Sequence, residues 1–160
     1  MHILGKQKVS YTLCYPEIAH YSDHFAVLEL LTEAGADVNA RGEWGVHRLY
    51  TAAAAGNTAD VKFLLECGVN PSIRTDFGWA PLHWAAHNGE LDCVRLLMEY
   101  RADLSTISDQ STTPLDQARI GHQEDIADIL VKAGAKTADE VYKERGGRRA
   151  TYYEDQDYGH

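Results

Sequence analysis

Cysteine is scarce in this sequence: Cys14, Cys67 and Cys93 are odd in number and show no CxxC spacing. That excludes a disulfide framework and a zinc knuckle, and predicts three reduced, packed thiols. Long apolar runs are missing as well. None approaches the roughly 18 residues that a membrane span requires, and Met1 to Ser10 (MHILGKQKVS) lacks the apolar centre of a signal peptide. The expectation is an intracellular chain, cytoplasmic or nuclear, without a membrane. Basic charge is short, with 15 Lys and Arg against 24 Asp and Glu and a net charge of −9. A field of that sign repels phosphate backbones, so nucleic acid is not the expected partner. Catalytic signatures are absent too: there is no G-x-S-x-G, no Gly-rich phosphate loop after a strand, and no motif pairing a cysteine with a histidine. The many carboxylates are read as solvated charges scattered over helix faces. Neither an enzyme nor a cofactor is expected.

What is there is a repeat. The chain has 160 residues, of which 44% are apolar, enough for the core of one domain. Set against itself at an offset of 33, Gly45-Val-His-Arg-Leu-Tyr-Thr-Ala-Ala lies over Gly78-Trp-Ala-Pro-Leu-His-Trp-Ala-Ala and over Ser111-Thr-Thr-Pro-Leu-Asp-Gln-Ala-Arg. DVKFLLECGVN (60 to 70), DCVRLLMEYRAD (92 to 103) and DIADILVKAGA (125 to 135) follow in step, and VLELLTEAGADVN (27 to 39) sits one period earlier, giving four units in one frame.

A 33-residue period carrying T-P-L-H-x-A resembles the ankyrin repeats. APLHWAAHNGELDCVRLL, TPLDQA and EAGADVNARGEWG hold the family's pattern closely, over about residues 24 to 136. The resemblance implies an all-α fold, an α-solenoid of stacked helix-turn-helix units with projecting β-turn fingers, and the binding of a protein or peptide partner. The residues agree. Pro81 suits a first helical turn, where its missing N–H is not needed, and Leu82, Ala85 and Ala86 give a short helix that a second can approach closely. Gly89 reads as a left-handed C-cap, and Leu91, Val94, Leu97 and Met98 form the apolar stripe of the second helix. Helices this short are marginal alone and need stacking.

His83 and His87, four apart, have the spacing with which many zinc sites begin. The resemblance assigns His83 instead to the T-P-L-H histidine, which ties one finger to the next by a hydrogen bond, and puts His87 on the concave face. Trp84 follows His83 where H-E-x-x-H would have its glutamate, and no third ligand is apparent, so no metal site is expected. His20 and His24 form a weaker pair of the same kind.

Unit two has His47-Arg48-Leu49-Tyr50 in place of Thr-Pro-Leu-His, which predicts a lost helix-start signal, a lost finger-to-finger hydrogen bond and a softer unit, partly offset by the helix-favouring run Ala52 to Ala55. Unit four replaces His83, Trp84, Ala86 and Arg95 by Asp116, Gln117, Arg119 and Asp128, and reads as a polar C-terminal cap. Its Gly121-His122 comes one residue earlier than Asn88-Gly89, predicting an altered inter-helix turn. Residues 1–23 read as a degenerate N-terminal cap, with the edge of a longer array or half of an interface as the alternative. Residues 137–160 read as a short helix followed by a disordered charged tail.

The resemblance also locates the partner surface. Residues flanking the finger glycine and ending the first helix face the concave groove: Arg41, Glu43, Trp44 and Val46; Arg74, Asp76, Phe77 and Trp79; His87 and Asn88; Asp109, Gln110 and Thr112. Trp44, Phe77 and Trp79 cannot all be core residues if the fingers project. Aromatics rimmed by charge have the make-up of a binding hot spot, while the plainer alternative is that they stack and stiffen the fingers. The expected function is an interaction module or adaptor, monomeric or part of a larger complex. Two alternatives stay open: a metal- or small-molecule-binding protein using His47, His83 and His87 beside Trp79, or a regulatory subunit of an enzyme encoded elsewhere.

Overall fold

The computed structural model describes Leu30 and residues 33 to 147. The expected N-terminal cap, Cys14, the His20 and His24 pair and the tail past residue 147 lie outside these residues, as does most of the first unit's helical segment. Seven α-helices follow one another among the described residues: α1 Arg48–Ala55, α2 Thr58–Glu66, α3 Pro81–Asn88, α4 Leu91–Glu99, α5 Pro114–Ile120, α6 Glu124–Lys132 and α7 Ala138–Glu144. The first helices of successive units stack α1 on α3 and α3 on α5, and α2 packs on α4 outside them. This is the all-α solenoid that the resemblance implied.

The core repeats as the sequence does. Leu49, Leu82 and Leu115 are buried one period apart, and so are Leu64, Leu97 and Leu130. Each leucine removed from water contributes about 1.5–3 kcal/mol. Ala52, Ala53, Ala85, Ala86 and Ala118, also buried, keep the inner helices thin enough for this spacing.

The unit starts differ from expectation in unit two. His47, without a Thr-Pro before it, is itself the N-cap of α1: its Nδ1 accepts from the backbone N–H of Leu49 at 2.9 Å. An Nδ1 that accepts leaves the proton on Nε2, which donates to the carbonyl of Val38, nine residues back on the incoming arm of its own finger. The helix-start signal expected to be lost is supplied by this histidine, three residues earlier than the pattern places one. Both its ring nitrogens stay within unit two, so the histidine tie to the next finger, which His83 makes to Thr112, is lost as expected.

Unit four turns between its helices as unit three does. His122 takes the left-handed conformation (φ 56) that Gly89 takes (φ 78), and α5 ends one residue earlier than α3. Gly121 is needed for a steric reason: a Cβ there would stand 2.1 Å from the carbonyl oxygen of His87. Unit four's cap is less polar than expected, because Gln117 is buried and donates to Thr112 Oγ1 at 3.1 Å. The covering is done by α7, which takes the place of a fifth finger. Asp116 Oδ2 accepts from the N–H of Ala138 at 2.9 Å, and Thr113 Oγ1 donates to the carbonyl of Lys136 at 2.8 Å. Ala138 and Val141 bury the inner side of that helix.

Candidate functional site

Each finger is a short hairpin closed by backbone bonds: Gly42 N–H to Val46 O at 2.9 Å, Thr75 N–H to Trp79 O at 2.8 Å and Ser108 N–H to Thr112 O at 3.0 Å. The fingers are then laced together. Asp76 N–H donates to Trp44 O at 2.8 Å and Asp109 N–H to Phe77 O at 3.0 Å. His83 adds the tie that the T-P-L-H pattern implied: its Nδ1 accepts from Ala80 N–H and its Nε2 donates to Thr112 O, both at 3.1 Å. Burial outweighs these bonds and pushes the pKa of His83 down to about 4. Burial lowers that of His47 as well.

Several residues expected to meet a partner are spent on this lacing. Arg41 donates from Nε to its own finger's Gly45 O at 3.0 Å and from Nη2 to the carbonyl of Arg74. Arg74 repeats the arrangement with Gly78 O at 3.3 Å and Ile107 O at 2.7 Å. Asn88 Nδ2 donates to Ala54 O at 2.9 Å, binding α3 to α1. Thr112 accepts through its carbonyl and shares its hydroxyl with Ser108 Oγ at 2.9 Å, and Val46, half-buried, closes its own hairpin.

The aromatics divide into two groups. Trp44 and Phe77 stand exposed on successive fingers, at 64% and 44% of their surface, with ring centroids 5.6 Å apart. Trp79 is half-buried and does not join them. It leans on α3, 5.3 Å from the ring of His83 and 5.5 Å from that of Trp84. Trp84 in turn meets His87 at 5.2 Å. Trp84 was missing from the expected surface, although its place in the first helix, three residues before His87, puts it on the same face. The indole Nε1 of Trp84 and the Nδ1 of His87 are buried without a hydrogen-bond partner. Acidic side chains rim the aromatic pair: Glu43, Asp76 and Asp109 are exposed, as is Gln110. Of the three acids, Asp76 has the Arg41 guanidinium 4.0 Å away.

Other expectations for polar and thiol groups are corrected here. Cys93 is buried as expected but Cys67 is exposed. The carboxylates are not all solvated, since Asp60 is fully buried against Arg48. Among the described residues no three His, Cys, Asp or Glu side chains gather as a metal-ion site. The ring nitrogens of both His47 and His83 are committed to backbone groups, so neither presents a lone pair to a ligand. A cavity of about 280 Å³ lies elsewhere, between α5 and α7, lined by Thr112, Asp116, Ile120 and Ala138 among others.

The family model for ankyrin repeats in three copies matches residues 49–140, and a second model for ankyrin repeats in many copies matches residues 17–65. The chain belongs to the ankyrin repeat family. No curated protein matches it. Ankyrin repeats are generally protein–protein interaction modules, and among the described residues no helix of this ankyrin array is long and apolar enough to cross a membrane.

Proposed function

We propose that this ankyrin array is an interaction module or adaptor that binds a protein or peptide along its finger edge and concave surface, around Trp44, Phe77 and Trp79. The observation that carries the reading is the Trp44–Phe77 pair, two large aromatic side chains left in solvent on fingers whose backbones are locked to one another. Exposed aromatic area on a rigid support binds at low entropic cost, because little is left to order when a partner arrives. Aromatic anchors of this kind dominate interface energies. The rim favours a partner that offers basic groups: Glu43, Asp76 and Asp109 are exposed about the pair, while Nε and Nη2 of both Arg41 and Arg74 donate to carbonyl oxygens. Fixed acids of this kind steer a basic partner and set its orientation.

The test is recovery of a partner from the source cell by the wild-type array, followed by affinity measurement with Trp44→Ala, Phe77→Ala and the double variant. Affinity should fall by about 2 kcal/mol or more for at least one single variant, the hot-spot range. A partner whose affinity ignores both rings would place its site elsewhere.

A further inference from the structure

The first helix of unit two begins with a charge that has no counterpart in its neighbours. Arg48 stands where units three and four have Pro81 and Pro114, and Asp60 stands where they have Cys93 and Ile126. Arg48 Nη2 donates to Asp60 Oδ2 at 2.9 Å, with only 3% and 0% of the two side chains exposed. The other guanidinium nitrogens of Arg48, Nε and Nη1, are buried with no acceptor. Taking two ions out of water is costly, and a well-packed apolar pair of similar volume carries no such cost. Buried donors left without acceptors add to it.

The location of the pair matters as much as its cost. Cys93 Sγ lies 3.9 Å from Thr58 Oγ1 of unit two, so this register position faces the preceding unit. In unit two the same position is Asp60, and the pair therefore lies on the side of that unit away from unit three. What joins unit two to unit three is the contact of α1 with α3 and of α2 with α4, the finger lacing, the Arg41 bond to Arg74 and the Asn88 bond to Ala54. Trp44, at the tip of unit two's finger, adds backbone strain, since a bulky side chain there holds a left-handed conformation at φ 59.

We propose that unit two is a conformational layer that opens as one piece while units three and four stay folded, with the buried Arg48–Asp60 pair as its weak point. Opening removes Trp44 from beside Phe77 and dismantles the exposed pair; closing assembles it. The meaning of this for binding rests on the reading of the finger edge given above, but the opening itself does not.

Hydrogen exchange on the full chain, read by mass spectrometry under native conditions, tests it without a partner. Amides of α1 and α2 should exchange together, through an opening about tenfold or more frequent than that of α3 to α6. Equal protection of units two and three overturns the proposal. Arg48→Pro with Asp60→Ile gives unit two its neighbours' residues, and His47, at φ −97 and ψ 153, already has the extended backbone that a residue before proline requires. That swap should bring the protection of α1 and α2 up to that of α3 and α4; unchanged or lower protection overturns the proposal. Should the double variant fail to fold, Asp60→Asn decides instead. A loss of protection confined to α1 and α2 supports the weak layer, and an equal loss across all units overturns it. Finger variants that leave binding intact would count against the partner surface and not against this opening.

Discussion

Arg74 reaches one repeat period along the chain and donates to the carbonyl of Ile107 at 2.7 Å, while its own carbonyl accepts from Arg41, one period back. Two residues that look like recognition groups are thus rungs of a ladder running up the fingers. Arg74→Ala should lower stability by about 1 kcal/mol, the net worth of a hydrogen bond of this kind, as measured by urea unfolding. Phe77→Ala, two-fifths exposed and outside the ladder, should leave the melting temperature nearly unchanged and act on binding alone. The opposite ranking would mean that the guanidiniums face a partner.

Acid should loosen the array through its histidines. His83 is neutral when folded, with a pKa near 4 against an ordinary 6.5, so the unfolded chain takes up a proton first as pH falls. The stability held by the neutral ring is complete above pH 6.5 and declines toward pH 4, by roughly 3 kcal/mol for a shift of this size. His47 is lowered in the same direction and adds to the slope. Urea midpoints measured from pH 4 to 7.5 should show this rise, and His83→Gln should flatten it.

Within unit three, Leu82→Ala should cost about 2 to 5 kcal/mol as a buried large-to-small change. His87→Ala loses only a half-buried ring contact with Trp84 and should cost far less. Thermal melts of the two variants give the comparison directly.

Two backbone substitutions should have opposite signs. Arg101 holds φ 62 at a place where Gly68 and Gly134, one period to either side, hold φ 88 and φ 90. Arg101→Gly should therefore gain roughly 0.5–1 kcal/mol, the relief of a left-handed side chain less the entropy that glycine loses. Gly121→Ala puts a Cβ against the carbonyl of His87 and should lose about 1–3 kcal/mol as an overpacked contact. Denaturant midpoints would show both.

Zinc added at neutral pH should give no stoichiometric heat in calorimetry, because His47 and His83 would each have to surrender backbone bonds to reach a metal. A one-to-one isotherm lost on His83→Gln would reverse that conclusion.

The period made the fold legible, since a leucine recurring every 33 residues can be buried each time only if the units stack. The tie through His83 was legible only through the family resemblance, which assigns that role to the histidine of T-P-L-H. The site was less so. Projecting fingers imply exposed Trp44 and Phe77, but nothing in the spacing says that Trp79 leans inward onto Trp84, which depends on side-chain rotation about neighbouring backbones. Nor does it say that Arg41 and Arg74 have carbonyl oxygens within reach, because those oxygens belong to residues one period on. In unit two, pattern matching counted a missing helix start, whereas an N-cap needs only a side-chain acceptor just before the helix, and His47 provides it. Asp60 was taken for one more surface acid because a single charge in a helix gives no sign of its depth.

Asp116 shows how such an array can be told where to stop. A histidine in that slot, as at His83, keeps a donor for the next finger and passes the pattern on, whereas a carboxylate can only accept, and besides the N–H of Thr113 in its own unit it accepts the first N–H of α7. One side chain thus acts as punctuation between a unit that invites continuation and one that refuses it. Extending the solenoid by design would begin there, with Asp116→His and a finger in place of α7, before any new helix is written.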